Sequence, residues 1–284
     1  MKLLSLFIIL STFLFSKEIE IKLNPTLNKT TNYQALVKNH QNSNGKIINN
    51  SLEYKFSNTL IENSVDGLLF SWKIKSISSE EKLTGVSKEL ENINEGLEIK
   101  FYTTQSGIYK SVDNWDEILE FFETKLKKIE DDFWGDPQAK QSVTALKKSL
   151  LKPEQLSEYL LQEINLIHNF YGAKLELNNQ TTNTMMIKDN YLSISLPILH
   201  QSKIEFKNKQ YIFEVNEKID QLRSNKIIKD YANENILEAV QYSNSQDFRF
   251  IYDSNFKLLN LEYVKSVKIN DDEMEKYIII SIDK

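Results

Sequence analysis

The chain has 284 residues, a formal net charge of −5, 26% charged residues and no cysteine. The missing thiol excludes disulfides, thiolate catalysis, cysteine-based zinc sites and a lipidated N-terminal cysteine. The cations are lysines scattered among acids, with arginine only at Arg223 and Arg249, so no nucleic-acid partner is expected.

The N-terminal stretch MKLLSLFIILSTFLFS carries Lys2, an apolar run from Leu3 to Phe15 and then Ser16. That run, about 13 residues or ~20 Å of helix, falls short of a ~30 Å hydrocarbon core. It has the form of a signal peptide over residues 1–16, cleaved after Ser16. The expected location is therefore periplasmic or extracellular, in a Gram-negative bacterium, without lipid attachment. Retention as an anchor is the alternative, because Leu14 stands where a small residue is preferred.

Residues 17–112 read as a first set of antiparallel strands. EIEIKL and YQALVKN alternate, and Asn44-Gly45 marks a tight hairpin. In LEYKFSN, Leu52, Tyr54 and Phe56 share one side. In LLFSWKIKSI, Leu68, Phe70, Trp72 and Ile74 do the same, and LEIKFYTT repeats the pattern with Leu97, Ile99 and Phe101. A dry face backed by a polar one marks an antiparallel sheet solvated on one side.

Residues 113–171 change period to that of a helix. Trp115, Ile118, Leu119, Phe122, Leu126, Ile129 and Phe133 form one stripe, with Asp113 as the expected N-cap. Gly135-Asp136-Pro137 ends that helix and opens another, with Asp136 as cap and Pro137 in first position. A third is expected after Pro153, with Leu156, Leu160, Ile164, Ile167 and Tyr171 aligned and Gly172 closing it.

Residues 172–284 return to strands: AKLELNN, YLSISLPIL, SKIEFKN and KQYIFEVNEK, with a turn at Asn208-Lys209. A helix is expected from about Asn225 to Ala239. DFRFIYD and NFKLLNLEYVKSVKI then flank Asp253-Ser254, with Leu259, Leu261, Tyr263, Val267 and Ile269 on one parity. The unbroken KYIIISID suggests a central strand covered on both faces. The fold class is α+β and mainly β. Its two runs of antiparallel strands form a curved sheet, half-barrel or sandwich with the helical insert packed on it, all of 17–284 being one domain.

This layout, with a signal peptide, strands such as SLEYKFSN and GLLFSWKIKSI, a mid-chain helical insert and a second strand set, resembles certain uncharacterised secreted or periplasmic proteins of Gram-negative bacteria. It is similar in layout to the half-barrel of periplasmic lipoprotein carriers. The resemblance implies a curved sheet and helical lid enclosing acyl chains, and it carries over no individual residue.

No nucleophile elbow, HExxH, P-loop or dinucleotide fingerprint occurs. His40, His168 and His200 are far apart. The acidic groups Asp131-Asp132 with Asp136, and Asp271-Asp272-Glu273, lack the spacing of a calcium loop. No metal site, catalytic residue or cofactor is expected. The expected role is that of a non-catalytic exported protein holding a lipid-like or amphiphilic ligand between sheet and helices, at Tyr54, Phe70, Trp72, Phe101, Trp115 and Phe122. The alternatives are an envelope module with a filled core that binds a protein partner, and a hydrolase using scattered carboxylates.

Overall fold

A computed structural model describes residues 17–81, 83–150, 153–189, 191–234 and 241–283; the segment read as a signal peptide lies outside them. Period-two alternation governs the first half. Strand β1 (Glu18–Glu20) leads to the long strands β2 (Thr30–Ser43), β3 (Lys46–Ser64) and β4 (Gly67–Ser79). Asn44 (φ 50°) and Gly45 (φ 77°) make the β2–β3 turn in the left-handed conformation that their residue types tolerate. A short helix α1 (Gly85–Glu91) follows, where only strands were expected, then β5 (Glu98–Thr103) and β6 (Tyr109–Val112).

Helices α2 (Trp115–Asp132) and α3 (Pro137–Leu150) follow the sequence pattern, and Asp136 Oδ1 accepts from the backbone of Gln138 at 2.8 Å, capping α3. The cap position of α2 belongs to Asn114 rather than Asp113. Its side chain accepts from Lys100 N (2.7 Å) and donates to Glu98 O (3.1 Å), tying the helix start to β5. The expected third helix is two, α4 (Pro153–Leu160) and α5 (Gln162–His168), broken at Leu161.

In the second half β7 (Lys174–Glu176) pairs with β1, and β8 (Gln180–Lys188) is a strand that its unalternating sequence hid. YLSISLPIL and SKIEFKN join in one strand, β9 (Ser195–Lys207), running through Pro197. Its partner β10 (Gln210–Ile219) ends opposite Ile198, so Pro197 lies beyond the β10 ladder, with Met186 of β8 opposite it on the other side. Helix α6 (Gln221–Glu234) starts earlier than expected; residues 235–239 of that expectation are outside the described set. Strands β11 (Tyr242–Asp253), β12 (Leu258–Ile269) and β13 (Asp272–Ile282) complete the chain. A register shift at Ile251/Tyr252 turns Leu258, rather than Leu259, into the core.

All strands but β1 and β7 form one open antiparallel sheet in the order β6-β5-β4-β3-β2-β13-β12-β11-β10-β9-β8. The two strand sets meet where β2 pairs with β13, Val37 opposite Ile278. Strand β13 is central, yet only one face is covered: Ile278 and Ile280 are fully buried, while Ile279 is 41% exposed.

The covered face packs on α2, α4 and α5. Phe56 stacks on Trp72 with ring centres 3.9 Å apart and on Tyr33 at 5.3 Å. Phe170 inserts edge-on among Phe213, Phe248 and Phe250. Each such buried side chain stabilises the fold by about 1.5–3 kcal/mol. A second, smaller cluster gathers Leu196, Ile198, Ile219, Tyr242 and Val267 under Ile228 of α6.

Candidate functional site: a polar row on the inner face

On the covered face the two apolar clusters are separated by one row of polar residues. Register places His200 (β9) opposite Glu217 (β10), Glu217 opposite Gln246 (β11), Gln246 opposite Lys265 (β12), Lys265 opposite Lys276 (β13) and Lys276 opposite Asn39 (β2). On one side of this row Tyr263 faces Ile278; on the other Val267 faces Met274. Period two thus sets a charged line between two greasy ones on a single surface.

The centre of the row is unusual. Lys265 and Lys276 stand directly across from each other, an arrangement that repels. Both are half-buried. Lys276 Nζ donates to Gln162 Oε1 at 2.6 Å, and Lys265 Nζ lies 5.2 Å from the ring centre of Tyr191. The ion pairs among the described residues leave both out. Burial lowers the pKa of each, against Asp189 for Lys265 and against Glu163 for Lys276.

Those two carboxyls are committed elsewhere or weakened. Asp189 accepts from Tyr242 Oη (2.5 Å), Asn244 Nδ2 (3.1 Å) and the backbone N–H groups of Tyr191 and Leu192 (both 2.9 Å). Burial pushes its pKa up, but these donors outweigh burial and hold it below the usual carboxylate value. Glu163 is raised by burial, which leaves it a poorer counter-charge. At the row's far end His200 Nδ1 and Glu217 Oε1 are 3.0 Å apart. A cavity of about 120 Å³ opens beside the row, lined by Asp189, Ile198, Glu217, Asn244, Gln246 and Lys265 among others. Among the described residues the buried Oδ1 of Asn244 has no hydrogen-bond partner. Chemically, each lysine can pair with a carboxylate, phosphate or sulfate, and half-buried Met274 offers an apolar neighbour on Lys276's own strand and face.

The six residues expected to line a ligand site lie elsewhere. Tyr54, Phe70, Trp72, Phe101 and Phe122 are buried in the larger cluster, and Trp115 is half-buried against it. Phe70 also lines a cleft of about 180 Å³, together with Tyr33, Leu60, His168, Tyr171, Lys29 and Lys257 among others. Two of the groups set aside in the sequence have ordinary partners. His40 Nδ1 is 2.6 Å from Asn49 Oδ1, and Asp272 Oδ1 accepts from Asn44 N. Among the described residues no group of three or more His, Asp or Glu is placed to hold a metal.

Sequence reasoning missed the lysine pair, although a signal existed. Lys265 interrupts the apolar parity of Leu261, Tyr263, Val267 and Ile269, and Lys276 shares parity with Ile278 and Ile280. A charge on the dry parity of two neighbouring strands is the trace such a site leaves.

No protein-family model matches the chain, and no curated protein matches it. Among solved structures it is similar to one described as "Lipid-protein interactions in lipovitellin", with 7% identity and a TM-score of 0.46 over 92% of this chain and 26% of that one. The chain thus spans about a quarter of that chain's length. It is also similar to a DUF1329 family protein from Desulfovibrio piger, with 9% identity and a TM-score of 0.16 over 90% of this chain and 87% of that one.

Proposed function

We propose that this is an exported, non-catalytic binding protein that holds an amphiphile with an anionic head. The observation that supports this reading is the Lys265–Lys276 pair: two half-buried lysines stand opposite each other in register between apolar rows, outside any ion pair among the described residues. An anion placed between them removes their mutual repulsion. It also gains charge-assisted hydrogen bonds worth about 1.5–3 kcal/mol each. The apolar body lies along half-buried Met274, toward Ile48 at the exposed end of β3.

Oleate and oleyl alcohol differ in head charge and share the chain, so they separate the two contributions. Isothermal titration of the purified protein is expected to show oleate binding more tightly than oleyl alcohol. The Lys265→Met, Lys276→Met double variant is expected to weaken oleate at least tenfold, with oleyl alcohol unchanged. Equal affinity of the native protein for both amphiphiles, or oleate affinity untouched by the double variant, overturns the reading.

A further inference from the structure

The open sheet has two ends, and they differ in the way edges are normally protected. At one end β6 has four residues, one of them Lys110, and leads straight into the cap of α2. At the other, β8 runs nine residues, QTTNTMMIK, and pairs on one side only among the described residues. Short length, charge, proline and bulges are the usual defences of an edge strand. Strand β8 is long, has no proline, pairs with β9 in unbroken register and carries a single charge, Lys188, at its last position. Along it Met185, Met186 and Ile187 are exposed, Met186 by 61%.

We infer that β8 is the interface of a two-fold symmetric dimer, in which the β8 strands of two copies pair antiparallel and continue the sheet from one molecule into the next. The sequence of β8 argues for a second copy as the occupant. Full overlap of the nine residues centres the axis on Thr184 and sets Gln180 opposite Lys188, Thr181 opposite Ile187 and Thr182 opposite Met186. No like charges meet in that register, and every exposed apolar side chain faces a neutral one. A closed, isologous pairing also leaves no further copy of β8 free, so association stops at two.

Because the chain has no cysteine, single-cysteine variants report the register directly. In an antiparallel pair, residues directly opposite lie about 4.5–5.5 Å apart at Cα, within disulfide reach. Thr184→Cys is expected to cross-link to itself under mild oxidation at least tenfold faster than Val65→Cys, which is placed in the 98% exposed turn between β3 and β4. Sedimentation velocity of the native chain is expected to show a monomer–dimer equilibrium. Thr184→Lys, which sets two lysines face to face on the axis, should return the protein to monomer. An equimolar mixture of Thr184→Lys and Thr184→Glu should restore the dimer, which a misfolded variant could not do. The inference is overturned by a monomer at every concentration, by Thr184→Cys cross-linking no faster than Val65→Cys, or by open-ended growth, which would mean pairing of β8 with β6.

Discussion

His168 shows how a single buried side chain sets a pH dependence. Its Nδ1 lies 2.7 Å from the carbonyl oxygen of Gly107, which can only accept, so Nδ1 carries the proton and Nε2 keeps a lone pair. Phe70, Phe101 and Tyr171 surround the ring, with centres 5.3–5.9 Å away. Burial lowers its pKa from 6.5 to about 4, and the Gly107 bond only partly opposes this. Between those values the unfolded chain takes up a proton that the folded one refuses. Stability is therefore fully present above pH 6.5 and falls as pH drops toward 4, by roughly 3 kcal/mol. Urea midpoints measured from pH 7 to 4.5 should trace that decline. In His168→Phe they should start lower at pH 7, for want of the Gly107 bond, and fall less steeply.

The turns that join the elements are specified more sharply than the elements themselves. Gly45 and Gly67 both follow tight-turn residues, yet their surroundings differ. A Cβ on Gly45 meets no atom of the described residues within 4 Å, so Gly45→Ala bears only the left-handed strain of about 1–2 kcal/mol. A Cβ on Gly67 (φ 144°) falls 2.2 Å from the backbone oxygen of Thr103, which belongs to the neighbouring strand β5. Gly67→Ala must then strain its own backbone and push β4 from β5, at a cost on the order of 3 kcal/mol. Chemical denaturation is expected to rank Gly67→Ala well below Gly45→Ala, with faster amide exchange along β5 in the former.

Across the whole molecule, the decisive contact is the one between the chain's two ends. Strand β2 is hydrogen-bonded to β3 on one side and to β13 on the other, so the first strand set joins the second through residues more than two hundred positions apart. Removing β13 would strip Ile278 and Ile280 from the larger cluster and leave β2 and β12 without their common partner. A chain ending at Asn270 is expected to lose the single cooperative thermal transition that calorimetry should show for the full chain. Retention of that transition would mean that the two strand sets fold independently.

Period-two and period-3.6 patterns were readable wherever one face of an element is dry. Alternation in LEYKFSN and LLFSWKIKSI located β3 and β4, and the stripe from Trp115 to Phe133 located α2. Turn chemistry at Asn44-Gly45 and Asn208-Lys209, and the cap at Asp136, were equally local. Strand β8 and helix α1 escaped notice because one has nearly every residue exposed and the other is too short for a stripe. The open outer face of β13 could not be foreseen from an unbroken apolar run, since burial depends on what lies across the sheet. The lysine pair is the strongest case. Lys265 and Lys276 each fall on the dry parity of their own strand, yet only pairing of β12 with β13 sets them opposite each other. Local sequence determines which side of a strand is greasy, because that is a property of neighbours along the chain. Which two strands lie together is decided by long-range pairing, and so are the charges brought into opposition on them.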